Sequence, residues 1–434
     1  MTTVADHETE YVLVTEYFHP ETASTGQLMT DLAVGLQDRG LDVTVYTGQP
    51  NYHSGDNERQ PRESTHQGVD VRRIRAPQVR QSSLPRRLCN WAVFTVWLTV
   101  ALLSWRPGDD RDRELLVLSN PPMLPPAMWL VCRLRGWEYT YVAYDLYPDH
   151  VVELGFVPEG GLVHRVWRRL TARTYREARH VVALGPVMKE RIVETAGPSF
   201  DPDSVTVIHN WADGEFIRPV AKADNPFSHE HDLLEPFVVL YSGNIGEHHD
   251  LETLVRAATA FAEEDVCVLI IGEGDAKEDV VALADALGVR GDTVRFLPYQ
   301  PKDELPQSLT ASDVSVVTVE DGLEGVCVSS KLYTAMAAGT PVLGITHPAG
   351  DEARVIEACD AGVHVPQGDV EGVVDAVEGW RDDPDRLERQ GENARAAFEA
   401  WFTRERSVDR YYALLTEGSA PETVMDSAAA QSEG

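Results

Sequence analysis

Short apolar runs, each followed by a helical stretch, punctuate the whole chain, and this alternation leaves little choice of fold. In the first half the runs are Tyr11–Thr15, Val43–Tyr46, Leu115–Leu118, Tyr139–Ala143, Val181–Leu184 and Val205–Ile208. In the second half they are Phe237–Tyr241, Val266–Ile271, Val294–Leu297, Val314–Val319, Pro341–Ile345 and Val363–Val365. Strands without polar alternation are buried on both faces, and strand–helix alternation covers a parallel sheet with helices on both sides. A loop over Glu16–Gly26 leads to Leu28, Leu32 and Leu36 at helical spacing, and Gly40 follows where a C-cap glycine belongs. Helices are also expected over Leu251–Ala262 and Val280–Leu287. A chain of 434 residues exceeds one ordinary core. Two parallel-sheet α/β domains are therefore expected, at 1–212 and 220–398, with a linker from Asn210 to about Phe227. The last helical run, Asp385–Thr416, is long enough for its end, about 400–416, to pack back on the first domain. The tail, 417–434, has the Ser, Ala, Pro, Glu and Gly composition of disorder.

Charge narrows the class of partner. Acidic residues number 70 and basic ones 38, a net charge of -32, and only five of the basic residues are lysines. The acid is dispersed, not gathered in a tail, which disfavours nucleic acid as a partner. Two readings remain: attraction of basic partners, or solubility at very high salt, where screening within a few ångström removes self-repulsion. Dispersal favours the second. The charge is also uneven, with 23 basic and 28 acidic side chains in residues 1–219 but 15 and 42 in residues 220–434. Five scattered cysteines, Cys89, Cys132, Cys267, Cys327 and Cys359, include no Cys-x-x-Cys, which points to reduced thiols inside a cell. Met1–Glu10 is polar and acidic, unlike a signal peptide. A cytoplasmic location is expected.

One segment departs from this acidic, soluble pattern. Trp91–Trp105 carries no charge and includes Trp91, Trp97 and Trp105, with Arg80, Arg86 and Arg87 just before it. At about fifteen residues it falls short of the roughly 20 needed to span a bilayer. Tryptophans and arginines at its ends suit an interfacial helix. His164–His180 adds six arginines, among them Arg165, Arg168 and Arg169, against one acid. Such a face attracts anionic lipid. The competing reading is a buried domain helix beside a solvated basic one.

Two segments carry phosphate chemistry. Tyr241-Ser-Gly-Asn-Ile-Gly246 follows a strand and precedes a helix near Asp250. Its glycines let backbone approach a phosphate, and the helix N-terminus offers free N–H groups. Ser329-Ser330-Lys331 opens a second helix, with the serines as candidate caps and phosphate ligands. A lysine in a first helical turn opposes the helix dipole unless an anion offsets it. A snorkelling surface lysine is the plain alternative. Read as a diphosphate's counter-ion, Lys331 would stabilise a departing nucleoside diphosphate. Both segments fall at carboxyl ends of strands, where open α/β sheets bind ligands.

These residues carry a resemblance. Tyr241–Gly246 with His249-Asp-Leu-Glu-Thr253, Gly272-Glu273-Gly274, Val294–Pro298 and Ser330-Lys331-Leu332-Tyr333 followed by Ala337-Ala-Gly-Thr-Pro-Val342 resemble the donor domain of family 4 retaining glycosyltransferases of the GT-B fold. In that fold two Rossmann-like parallel-sheet domains face each other across a cleft. The first half, in Tyr17–Glu21 with Ser24–Gln27, Gly48–Tyr52, Arg86–Asn90, Asp145–Asp149 and Ile208–Ala212, resembles the colanic-acid and O-antigen (WbuB-like) subgroup. The resemblance implies a nucleoside diphosphate sugar held by Gly243, Asn244, Ile245, Gly246, Glu273, Gly274, Tyr299, Ser330, Leu332 and Thr334. It places the acceptor near Ser24, Thr25, Gly26, Gln27 and Asp145. It implies catalysis without a bound metal and no cofactor beyond the sugar nucleotide, and the adjacent His248-His249 is a poor chelate.

Two departures from the family pattern matter. A glutamate that contacts the nucleotide ribose is here Thr334, and its earlier partner falls at Val326, two residues from Glu324. The His that relatives place before Asp145 is Tyr144. The expected activity is transfer of a sugar to a lipid-linked glycan at the inner membrane face. Lys331, Glu324 and Asp145 are the candidate catalytic residues. A sugar-nucleotide epimerase of the same fold and a non-catalytic membrane-bound homologue are the rivals.

Overall fold

A computed structural model of the chain describes residues 9–21, 23–50, 59–74, 84–104, 112–246, 249–262, 264–421 and 423–424. It divides into two compact units. The first is Met1–His209 with Val408–Pro421, and the second is Asn210–Ser407, joined by the buried Thr423 and Val424.

The first unit holds β1 (Glu10–Val14), β2 (Asp42–Thr47), β3 (Glu63–His66), β4 (Val69–Arg73), β5 (Arg113–Leu118), β6 (Glu138–Val142), β7 (His180–Ala183) and β8 (Val205–Val207). They form one sheet in the order β3-β4-β2-β1-β5-β6-β7-β8, parallel except for the antiparallel β3–β4 edge. Every residue of β1 and β5 is buried, as strands covered on both faces must be. A charged group survives there only when paired. Glu10 accepts from Thr44 Oγ1 at 3.0 Å and from Arg113 Nε at 2.8 Å, and the Arg113 guanidinium lies over the Trp137 ring. The β3–β4 hairpin has no apolar run and so left no mark in the hydropathy pattern. Its turn, Gln67-Gly68, has positive φ at both residues, as a tight hairpin of matching twist requires.

The second unit holds β9 (Phe237–Ser242), β10 (Val266–Ile271), β11 (Val294–Leu297), β12 (Val314–Thr318), β13 (Val342–Ile345) and β14 (Gly362–Val365), all parallel in the order β11-β10-β9-β12-β13-β14. In both sheets the strand order reverses beside the first strand, at β1/β5 and at β9/β12. The crevice at the carboxyl end of such a switch point is where doubly wound sheets take ligands.

The last helix, Arg404–Glu417, returns to the first unit from Val408 on. Val408 packs on Gly35, where any side chain would come within 2.7 Å of it, and Arg410 donates to the Val207 carbonyl at 2.9 Å. Of the tail expected to be disordered, Thr423 and Val424 are buried, and residues beyond 424 lie outside the described ones.

Candidate functional site

The second unit's switch point is built from two glycine turns stacked backbone on backbone. After β9, Gly243 donates to Ile271 and Ile245 donates to the Glu273 carbonyl, both at 2.9 Å. After β10, Ala276 donates back to the Ile245 carbonyl at 3.1 Å. A Cβ on Gly272 would lie 1.9 Å from the Gly243 carbonyl oxygen, and one on Gly274 2.1 Å from that of Ile245. Only glycine fits either place. Ile245 is therefore structural: its side chain is in the core and both its backbone groups are used. The N–H groups of the exposed Asn244 and of the buried Gly246 make no bond to another described residue. Glu273 is ion-paired with Lys277 at 2.7 Å, and the Tyr299 hydroxyl donates to the Glu273 carbonyl at 3.3 Å.

The helix after this turn does not offer its N-terminus to an anion, contrary to the sequence expectation. It runs only from Leu251 to Ala257, and the Asp250 carboxylate caps it by accepting from Thr253 N–H at 3.0 Å. An Asp at the cap supplies the negative charge itself.

Lys331 approaches the turn from the other side of the switch point. It begins the Lys331–Ala338 helix, which follows the long loop after β12. Its stem crosses Gly243, where a Cβ would sit 2.4 Å from the Lys331 Cε and where φ is +145°. Its ammonium lies 3.0 Å from His249 Nε2 and 5.3 Å from the Tyr241 ring centroid. Lys331 makes no ion pair with a carboxylate among the described residues. Desolvation lowers its pKa to about 8, partly opposed by Cys327. It is not a snorkelling surface lysine.

The residues around Lys331 sort themselves by what they touch. Ser330 makes no side-chain cap bond, which corrects its reading as a cap. Ser329 does not cap the helix either. Its N–H donates to Glu352 Oε1 at 2.7 Å, and its hydroxyl is buried without a partner among the described residues. Leu332 is fully buried in the core and can offer a ligand only backbone. The Thr334 hydroxyl donates to the Lys331 carbonyl at 2.9 Å, so toward a ribose it can only accept. Val326 is fully buried, and Glu324 Oε1 lies 3.8 Å from His347 Nε2. Among the described residues no group of three or more His, Cys, Asp or Glu is placed to hold a metal ion, and His248 lies outside them.

In the first unit, Asp145 follows β6. Its N–H and that of Tyr144 both donate to Ser119 Oγ. Asn120 links the site, donating to the Asp145 carboxylate and accepting from the Tyr147 hydroxyl at 2.8 Å. Ser24–Gln27 are not loop residues. They form the first turn of the Ser24–Asp38 helix, because Gln27 N–H already bonds the Ala23 carbonyl at 3.0 Å. Gly26 is buried there against Tyr17 and Glu21.

The segment around Trp97 forms the Leu84–Leu103 helix, with Phe94, Leu98 and Leu102 inward and Leu88, Val96, Trp97 and Val100 exposed. It packs beside the Leu124–Arg135 helix, which packs beside the Leu162–Glu177 helix. Twelve of the sixteen large exposed apolar side chains among the described residues lie between Leu88 and Val166 on this stretch of chain. Arg86, Arg87, Arg165 and Arg169 are exposed. Two expected members differ. Trp91 is half-buried and donates to Glu16 at 3.0 Å, and Arg168 is paired with Glu194 at 3.2 Å. Trp105 and Arg80 lie outside the described residues. No helix among the described residues is long and apolar enough to cross a membrane.

Sequence reasoning missed His249, Asn120 and Glu352. His249 was visible in the segment His249–Thr253 and as half of an adjacent pair, with no role given to it, and nothing in the sequence marks Glu352. Burial raises the Glu352 pKa to about 7, although it accepts from Ser329. The folded state thus keeps this proton to about pH 7, whereas a glutamate ordinarily loses it near 4.5. Stability therefore falls as pH rises through that window, by roughly 3 kcal/mol in all. Glu352→Gln removes the titration and keeps the acceptor. Thermal melts should show the variant gaining on wild type at pH 8 relative to pH 4.5. An identical difference at both pH values contradicts this.

Known proteins share this plan. Residues 25–211 match the family model "Glycosyl transferase 4-like domain", and residues 224–397 match "Glycosyl transferases group 1". WbjE of Pseudomonas aeruginosa, which carries the name of a glycosyltransferase, is 28% identical over 277 residues, 64% of this chain and 68% of its own. WcaI of Escherichia coli strain K12, which carries the name of a colanic acid biosynthesis glycosyl transferase, is 26% identical over 335 residues, 74% and 79% of the two chains. Among solved structures, sucrose-phosphate synthase of Thermosynechococcus elongatus has a TM-score of 0.73 at 18% identity, covering 95% of this chain and 100% of that one. HepE of Anabaena, in complex with UDP, has 0.69 at 15%, covering 94% and 100%. The fold is GT-B, and the chain is a glycosyltransferase built of a 4-like domain followed by a group 1 domain.

Proposed function

We propose that the second unit holds a nucleoside diphosphate sugar with its diphosphate at Lys331 and at the free N–H groups of Asn244 and Gly246. The sugar passes, with its anomeric configuration retained, to a lipid-linked glycan in the synthesis of cell-surface polysaccharide. One observation carries the donor half: in a chain with 70 acidic residues, Lys331 makes no described ion pair with any of them. A desolvated cation packed against the same glycine turn stabilises charge that develops on a leaving diphosphate. The UDP held by HepE supports a nucleotide as ligand, and the name of WcaI supports a surface polysaccharide as product. In this reading Glu273, Gly274, Tyr299 and Thr334 meet the nucleoside, and Glu324 meets the sugar. Asp145, held by Asn120 and Ser119, orients the acceptor hydroxyl, with the Ser24–Gln27 turn as a further acceptor contact.

The same reading takes the exposed apolar side chains around Trp97 and Leu162, with Arg86, Arg87, Arg165 and Arg169, as the surface that rests on the inner face of the membrane. Apolar groups enter the headgroup layer while arginines meet anionic lipid. The dispersed acid elsewhere suits work at very high salt.

Two measurements check these readings. Lys331→Ala should reduce transfer, or donor hydrolysis, by at least about 100-fold with an unchanged melting curve, and wild-type activity in that variant refutes the donor site. In flotation with vesicles containing an anionic lipid, wild type should rise with the lipid, and Trp97→Glu with Arg165→Glu should stay at the bottom. Failure of wild type to float at both low and high salt rules out the membrane surface.

A further inference from the structure

His249 closes the open end of the Gly243–Gly246 turn. Its Nε2 is 3.0 Å from the Lys331 ammonium, and its Nδ1 side faces Gly246, where a Cβ would lie 3.5 Å away. Its ring meets that of Tyr241 edge-on at 6.0 Å. Two nitrogen bases this close share one hydrogen bond when one donates and the other accepts. The ammonium is the donor, so Nε2 is the lone-pair nitrogen of a neutral imidazole. Two cations at that distance, with no anion between them among the described residues, would repel. The pair therefore carries one positive charge although its two bases have room for two.

We propose that His249 is the second cation of the donor site, and that a bound diphosphate creates it: as the phosphates seat against Lys331, His249 Nε2 takes one proton from solvent. This rests on the reading of Lys331 as the diphosphate's counter-ion. Lys331 keeps its three protons and turns one N–H from the imidazole to a phosphate oxygen. The freed Nε2 lone pair takes a proton from water or buffer, and both residues then face the phosphates as donors. An anion within about 4–6 Å favours the charged form of a base. Histidine ordinarily titrates near 6.5, so the change falls in the neutral range.

The other groups around the pair suit this exchange. Tyr241, from β9, presents its ring. Asn244 stands in the turn, and Cys327 faces Lys331 from the loop before its helix. Two carboxylates on adjoining segments are engaged elsewhere, Asp250 in capping its helix and Glu273 with Lys277.

The test is calorimetry of UDP, GDP, ADP and inorganic pyrophosphate with the full chain at pH 7, in several buffers of different ionisation enthalpy. The slope of observed heat against that enthalpy counts protons taken up. His249→Gln keeps an acceptor for Lys331 but cannot protonate, so it subtracts the ionisation of the phosphate and of Lys331. Wild type should take up about half to one proton more than the variant. The variant should bind about tenfold more weakly at pH 6.5, with the gap closing by pH 8.5. His249→Asn serves in its place if the glutamine variant does not fold. Equal proton counts in wild type and variant, with both binding, overturn the role of His249 alone. No binding of any of the four probes to wild type overturns the diphosphate reading and this inference together.

Discussion

A half-buried ammonium is costly without a carboxylate partner, and Lys331 has none among the described residues; the arrangement of the second sheet's switch point depends on it. Desolvation already lowers the Lys331 pKa to about 8. Its immediate neighbours are an imidazole, a phenol ring and a glycine without a side chain. A single carboxylate in that ring would relieve the desolvation and fill the site with an internal salt bridge. Among the described residues none stands there, which keeps the charge available. The rest of the corner follows from holding that charge in place. Gly243 must lack a Cβ for the stem to pass, and Glu352 fixes the backbone of Ser329 two residues before the lysine.

The parallel sheet supplies the other half. Because β9 and β12 leave the sheet in opposite directions, their following segments part and leave a crevice. The glycine turns after β9 and β10 lock against each other through their backbones, with side chains excluded at Gly272 and Gly274. Rigid backbone on one wall and a preset cation on the other need little rearrangement to meet a developing negative charge.

Much of this was legible in the sequence because it rests on local signals. Apolar runs located twelve of the fourteen strands, and the two missed, β3 and β4, form an edge hairpin whose faces need no continuous apolar run. Gly243 and Lys331 were legible from glycine spacing and from the oddity of a lysine in a first helical turn. What failed was the assignment of side chains to ligands where only backbone is free. Ile245 and Leu332 belong to the core, and Asp250 occupies the helix N-terminus that had been assigned to phosphate. Ser24–Gln27 read as loop because the helix begins before its first periodic leucine. Glu352 and Asn120 act through contacts 23 and 25 residues away along the chain, which no local pattern records.

The first unit carries a different chemistry on the same topology. After β6, beside that sheet's switch point, it offers a carboxylate, Asp145, held by an amide and a hydroxyl from the segment after β5, where the second offers a cation. The most direct measurement is a crystal structure of the full chain with UDP or UDP-glucose bound. It should place a phosphate oxygen within hydrogen-bond distance of Lys331 Nζ, with the Asn244 or Gly246 N–H groups on the same diphosphate. A nucleotide bound with its phosphates away from Lys331 would contradict the account at its centre.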